Sequence, residues 1–546
     1  MLKHLSIYLL LIITSCLQIS CSQPSADLLI YNTHIYTLDS AFTQATAIAI
    51  KDGKIIAVGT DNELKNFEAK EKIDLQGKFI YPGFIDAHCH FYGYAVDLKK
   101  INLTGTTSWE AVLDTITRLQ NQKFMGWIFG RGWDQNDWNT KSYPTKEKLD
   151  SLFPNQPVFL FRIDGHAAIV NQKALDLCGV TAKTSIEGGI VEVKNGKLTG
   201  LLFDNAVDLV KLKIPAPTRE AEVEGLLQAQ QNCFAVGLTT VDDAGLEKEN
   251  ILLIDSLQKA GLLKMRYYAM IAYNEINKNY FFEKGKIKSD RLSVRSFKIY
   301  ADGALGSRGA LLIEPYTDET NHHGLALTTL AEIEKAATEI AEHDFQLCTH
   351  CIGDSGNRNL LKVYQSATAN KPNLRWRIEH AQVLHENDFQ LFKQSHTIPS
   401  IQPTHATSDM YWAESRIGKE RIKNAYAYKR LLQTTGMVAA GSDFPVEDIN
   451  PLYGYYAAVV RKDKKNYPSE GFQKENALTR VEALRAMTNW AAYANFEENE
   501  KGSLEMGKLA DFVVLDEDLL TAPDSLLWQL KVRSTYVNGE KVYERK

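Results

Sequence analysis

Short apolar runs with alternating polar positions dominate both ends of the chain. Segments 27–32, 47–59 and 71–78 have strand length and are broken at Asp52-Gly53 and Gln76-Gly77, dipeptides that favour tight turns. Segments 511–516 and 532–543 follow the same pattern, with Asn538-Gly539 as a hairpin signal. Neither end can bury much of a core alone. The economical expectation is that 27–82 and 500–546 pair into one small composite β-sandwich. The middle of the chain, 83–499, alternates β-rich runs with helical periods. Eight candidate strands fall at 84–88, 238–243, 265–271, 297–303, 345–350, 375–380, 398–403 and 437–443. Amphipathic stretches lie between several of them. In 329–343, for instance, Leu330, Ile333, Ala336, Ala337, Ile340 and Ala341 recur at helical spacing. Eight βα units predict an α/β fold, a (β/α)8 TIM-type barrel. The gap between the first and second strands is too long for one crossover. About 95–217 is therefore expected to form an inserted lobe over the barrel mouth.

Residues 1–21 break this pattern. A basic start at Lys3 and His4 precedes an apolar run from Leu5 to Ile13, short for a membrane span and typical of a secretory signal. The run ends at Ile13-Thr-Ser-Cys16, which resembles a bacterial lipobox; Cys21 is the rival site for acylation, and Pro24-Ser25 reads as a tether. The expectation is an exported protein anchored to the cell envelope by lipid, with an ordinary cleaved signal as the alternative. The chain has 546 residues, 44% hydrophobic and 24% charged, with a net charge of −5, so wholesale disorder and a polytopic membrane protein are excluded and nucleic acid is not an expected partner. Seven Cys over this length make no disulfide scaffold. Nothing here fixes an oligomeric state.

The polar residues at the strand ends carry the chemistry. The first strand ends in His88-Cys89-His90, and residues two apart on a strand face the same side. His350 ends the fifth strand, His380 the sixth, and Asp443 the eighth, while Lys298 lies in the fourth. Barrel strands converge at their C-terminal ends, so these groups meet at one mouth. Four imidazoles and a carboxylate suit one or two divalent ions, zinc being favoured. A bound dication lowers the pKa of water and polarises a carbonyl, and Asp443 is placed to move the proton from water to the leaving nitrogen.

Segments 82–90, 297–308, 350–354, 377–382 and 441–446, in this order and spacing, resemble the amidohydrolase superfamily, and within it amidohydrolase family 3, which includes N-substituted formamide deformylases. The resemblance spans about 27–546. It implies a barrel with a composite β-sandwich. It also implies that His88, His90 and Asp443 hold one metal, that His350 and His380 hold a second, and that Lys298 is carboxylated to a bridging carbamate. The expected activity is metal-dependent hydrolysis of a C–N bond other than a peptide bond, in a small amide, formamide or cyclic amide. A ring deaminase on the same barrel would instead release ammonia without a carboxylate. A catalytically dead solute-binding lipoprotein would bind ligand without metal.

Other residues have two readings each. His166 is a substrate or oxyanion contact, or a loop histidine bonded to backbone. Trp133 is expected to line the pocket, and Trp138 to pack. His405, after the seventh strand, is expected to reach the pocket. Asp302 and Arg308 either orient ligands or pair with each other. Asp354 is expected to cap a helix, and His322 and His323 to sit in a solvated loop. Cys348 and Cys351 read as small packing residues, with a redox pair as the other reading.

Overall fold

The computed structural model describes residues 25–121 and 124–546. The expectations for the leader, including acylation at Cys16 or Cys21, lie outside the described residues. Among the described residues no helix is long and apolar enough to cross a membrane.

Eight parallel strands form the central barrel. They are β1 (Phe84–Cys89), β2 (Leu238–Leu246), β3 (Arg266–Ala272), β4 (Leu292–Tyr300), β5 (Gln346–Cys351), β6 (Arg377–His380), β7 (Ile398–Ile401) and β8 (Ala439–Ala440). Each pairs with its neighbour in chain order. All eight expected segments overlap these strands. Two differ most in extent. β4 begins at Leu292, ahead of the expected start, because Ser293, Arg295 and Ser296 interrupt the apolar run while Leu292 and Val294 stay buried against the β3 ladder. β8 is only two residues long, and the barrel closes beyond it through single hydrogen bonds. Asp443 N–H donates to His88 O at 2.7 Å, and His90 N–H to Phe444 O at 2.8 Å. Gly441 makes this approach possible: a Cβ there would lie 2.3 Å from the His88 nitrogen.

The helices are set by local chemistry. Helix Leu330–Glu342 starts at Thr329, whose side chain accepts from Glu332 N–H while Glu332 reaches back to Thr329 N–H. Its buried stripe is Ile333, Ala336, Ala337, Ile340 and Ala341.

Both chain ends enter one eight-stranded sheet. Strand Ser25–Tyr36 runs parallel to Glu68–Pro82, which pairs antiparallel with Phe512–Leu515. Leu28, Ile30, Ile48, Ile50, Ile80, Phe512 and Val514 share one apolar cluster. The turn of hairpin 47–59 folds across to 507–510, with Ile55 N–H donating to Lys508 O at 2.9 Å. This sheet leads directly into β1 through Gly83. Arg266 at the start of β3 also ties it to the barrel by pairing with Asp511; both are buried, and Arg266 Nη2 is 3.0 Å from Asp511 Oδ1.

A third sheet of six strands, from Ile101–Asn102 to Lys197–Asp204, forms the lobe between β1 and β2. Strand Val158–Arg162 shows its two-sided burial. Val158 and Leu160 face one apolar cluster, and Phe159 and Phe161 face the other. Arg131 of the lobe donates to Pro445 O at 2.9 Å, which pins the lobe beside the loop after β8.

Replacing Arg266 with Met strands the Asp511 carboxylate in a buried position. The expected loss is about 3–5 kcal/mol of stability. Equilibrium urea unfolding checks this, and a change below about 1 kcal/mol would contradict a structural role for the pair.

Candidate active site

The barrel mouth gathers two overlapping sets of donors. One ligand atom each from His88, His90 and Asp443 lies within 4.8 Å of the others, and the same holds for His380, His405 and Asp443. His88 Nε2 and His90 Nε2 are 3.5 and 3.3 Å from Asp443 Oδ1. His405 Nε2 is 3.7 Å from Asp443 Oδ2. The β1 pleat aims His88 inward, and His90 follows at the start of helix Phe91–Asp97. His380 and Asp443 are reached differently. Both have positive φ, 78° and 64°, which turns their side chains at the ends of β6 and β8. Such backbone costs on the order of 1–3 kcal/mol and persists only where the surroundings over-determine it.

Each imidazole is aimed by what its other nitrogen meets. His88 Nδ1–H donates to Glu379 Oε2 at 2.6 Å, and His90 Nδ1–H to Ala244 O at 3.0 Å, so both turn Nε2 toward Asp443. Glu379 is fixed in turn by Arg377, whose Nε lies 2.8 Å from its Oε1. Arg377 also donates to Asp242 Oδ2 at 3.0 Å, and Asn495 donates to the other oxygen of Asp242 at 2.6 Å. The side chains of His88, Glu379, Arg377, Asp242 and Asn495 are buried. Burial opposes ionisation of Glu379, but the Arg377 guanidinium holds its carboxyl well below the usual carboxylate range.

Burial lowers the His88 pKa to about 4, with the Lys298 ammonium adding to the shift. Burial likewise keeps His350 and His380 well below the usual imidazole value, so these rings are neutral. Burial lowers Lys298 to about 8. Its Nζ is 3.2 Å from His88 Nε2. Burial opposes ionisation of Asp443, but the His90 contact holds its carboxyl well below the usual carboxylate range.

The donor set fits a dication. His350 Nε2, His380 Nδ1, His405 Nε2 and Asp443 Oδ1 are buried and make no hydrogen bond. Each unpaired buried polar atom costs about 1–3 kcal/mol, and a metal ion satisfies several at once.

Other expected residues fall elsewhere. His350 lies near this centre, its ring 4.5 Å from that of His380, but it belongs to neither set. Trp133 corrects the expectation of a pocket wall: it is fully buried in the lobe core and donates to Leu160 O at 2.8 Å. Its neighbour Trp138 packs against it. His166 Nδ1 meets Asp204 at 3.0 Å. Burial opposes its charge, but Asp204 and Asp164 raise its pKa, and it is near enough to the mouth to act on Asp302 and His350. Asp302 and Arg308 do not pair with each other. Asp302 accepts from the backbone of Leu311, Ile352 and Gly353 at 2.8–2.9 Å, fixing the loop after β4, and Arg308 pairs with Asp318. Gly353, not Asp354, caps helix Asp354–Ala367; Asp354 pins Ile313 N–H at 2.9 Å. His322 Nε2 is 2.7 Å from Arg308 O, so it staples this loop rather than facing solvent freely. Cys348 and Cys351 are both buried free thiols. Sequence reasoning missed Arg377 and Glu379. Their i, i+2 spacing on a strand that ends in His380 was the available signal.

A parallel barrel whose mouth collects neutral imidazoles around a buried carboxylate defines a metal-dependent hydrolase. The comparisons agree. The amidohydrolase family model matches residues 71–543, and the chain belongs to that family. It is 32% identical to Protein LONG AFTER FAR-RED 3 of Arabidopsis thaliana, over 95% of this chain and 92% of that protein. It is 28% identical to the N-substituted formamide deformylase of Arthrobacter pascens, over 95% of this chain and 98% of that one. An uncharacterized metal-dependent hydrolase from Pyrococcus furiosus superimposes with a TM-score of 0.72 at 27% identity, over 90% of this chain and all of that one. The protein is a metal-dependent amidohydrolase.

Replacing Glu379 with Gln removes the charge that orients His88. Metal affinity should fall roughly 10–100-fold. Chelator competition on the purified protein measures this, and unchanged affinity would show that Glu379 serves packing alone.

Proposed function

We propose that this enzyme hydrolyses the C–N bond of a small non-peptide amide, with N-formyl and N-acyl amines as the first class to test. The observation that carries the reading is the buried Asp443 carboxylate, flanked by imidazole nitrogens without hydrogen-bond partners. The similarity to an N-substituted formamide deformylase supports the substrate class. Zinc suits the imidazole-rich set, held in the first place by His88, His90 and Asp443. A bound dication supplies the charge that brings the pKa of water to roughly 7 and polarises the substrate carbonyl. Asp443 accepts the proton of the attacking water on a carboxylate oxygen and delivers it to the leaving nitrogen. Glu379 and Ala244 O keep His88 and His90 in the tautomer that leaves Nε2 free. Lys298, its pKa lowered to about 8 by burial, has the amine character needed to take up carbon dioxide as a carbamate. His166 reaches toward substrate from the lobe. Residues 1–21 support export and a lipid anchor at Cys16, or at Cys21.

Purified enzyme should release one carboxylate and one amine per N-formyl or N-acyl amine consumed, and lose activity on chelation. Ammonia release without a carboxylate would overturn the substrate class. Asp443→Asn should lower kcat by roughly 10²–10⁴-fold, the range of a lost proton carrier; near-normal turnover would remove Asp443 from that role. For the anchor, labelled palmitate should enter the wild-type chain, and labelling lost neither in Cys16→Ser nor in Cys21→Ser would argue against either site.

A further inference from the structure

Beside the donor cluster, between the loops that follow β7 and β8, lies a cavity of about 230 Å³. Helix Pro403–Asp409 supplies one wall and helix Pro451–Val460 another. Two residues tie the cavity to the reacting centre. Thr404 is the chain neighbour of His405, and Glu447 follows Asp443 on the same loop. Glu447 is near enough to His405 and Asp443 for their charges to act on it.

The lining is short of positive charge. Asp137, Glu447, Asp448 and Asp463 contribute four carboxyl groups, against the two ammonium groups of Lys462 and Lys464. Lys464 is already engaged, with Nζ 3.5 Å from the centre of the Tyr453 ring and 3.9 Å from Asp448 Oδ2. Asp463 accepts from the Tyr411 hydroxyl and from the N–H groups of Lys465 and Tyr467. Among the described residues, Glu447 from the barrel and Asp137 from the lobe make no ion pair. Glu447 accepts from Ser408 Oγ at 2.6 Å, and burial raises the pKa of both carboxyls. Thr404 is only 9% exposed, and its Oγ1 has no hydrogen-bond partner. Native interiors seldom leave such an atom unpaired. Tyr453 and Trp528 complete the wall as an edge-on aromatic pair, with centroids 6.4 Å apart. Unpaired carboxyls, a free acceptor and aromatic faces together suit an organic cation.

In the proposed reaction Asp443 protonates the leaving nitrogen, so the amine half of the substrate faces β8 and this cavity. We infer that the cavity holds a second, non-reacting ammonium or guanidinium group on that amine half, with Glu447 as its counter-charge and Thr404 Oγ1 as an acceptor. The preferred substrates are then mono-N-acylated diamines. The inference rests on the proposed hydrolysis of an N-acyl amine, and binding of a free diamine tests the cavity apart from it.

The metal-loaded, full-length enzyme is assayed on mono-N-formyl diaminoalkanes from butane to hexane and on the neutral N-formylalkylamines of equal length. The best diamine derivative should exceed its neutral counterpart in kcat/KM by about tenfold or more, as a charge-assisted contact allows. Glu447→Gln should raise KM for the diamine derivatives and bring that ratio to within about twofold of unity. Glu447→Asp, which keeps the charge, should retain most of the preference. Equal kcat/KM on the two series in wild type, or a preference that survives Glu447→Gln, would overturn the inference. If wild type hydrolyses neither series, the reading of the reaction fails by itself, and calorimetric titration with diaminopentane decides the cavity. Binding that is tighter than that of pentylamine, and that Glu447→Gln weakens about tenfold, supports the cation site. Diaminopentane bound no more tightly than pentylamine, or equally by wild type and Glu447→Gln, overturns it.

Discussion

Burying a carboxylate among neutral imidazoles is unfavourable unless positive charge joins them. Asp443 stands in that position, with unpaired nitrogens on His350, His380 and His405 around it. Water cannot repair the deficit, because these atoms are closed off from solvent. The chain therefore carries a local penalty of a few kcal/mol that only a bound cation removes. A fold that is stable enough elsewhere can hold such a site open, and the rest of the architecture is explained by that requirement.

The support is layered. Arg377 compensates the buried charges of Glu379 and Asp242, and so lets a carboxylate stand behind His88 without exposure to water. Asp302 collects three backbone N–H groups and keeps the loops after β4 and β5 in register. The terminal sheet feeds β1 from one side, and Arg266–Asp511 clamps it to β3. The lobe reaches the site through Arg131, which bonds both Ile163 O of the lobe and Pro445 O two residues beyond Asp443. Movement of the lobe would therefore be felt at Asp443.

Much of this was legible in the sequence. The barrel strands showed as apolar runs ending in His or Asp, since burial on both faces removes the alternation of an exposed strand. His88, His90, His380 and Asp443 stood out because a strand end places them at the mouth. What escaped notice had physical causes. Arg377 and Glu379 look like surface residues until their mutual neutralisation inside the barrel is seen. Trp133, set among glycines, resembled a pocket wall, yet the lobe is an independently packed sheet with apolar clusters on both faces and needs a large ring in its core. The positive φ of His380, which no residue pattern announces, determines what that ring faces.

The donors sit on strand ends and short helices held by the barrel core, where packing leaves little freedom. The lobe carries His166 and meets the loop after β8 through Arg131. A change among Arg377, Glu379 and Asp443 therefore alters the charge balance at once. The division follows from dielectric environment. Groups that must stay charged in a dry interior are fixed by one another, whereas groups that face water tolerate substitution.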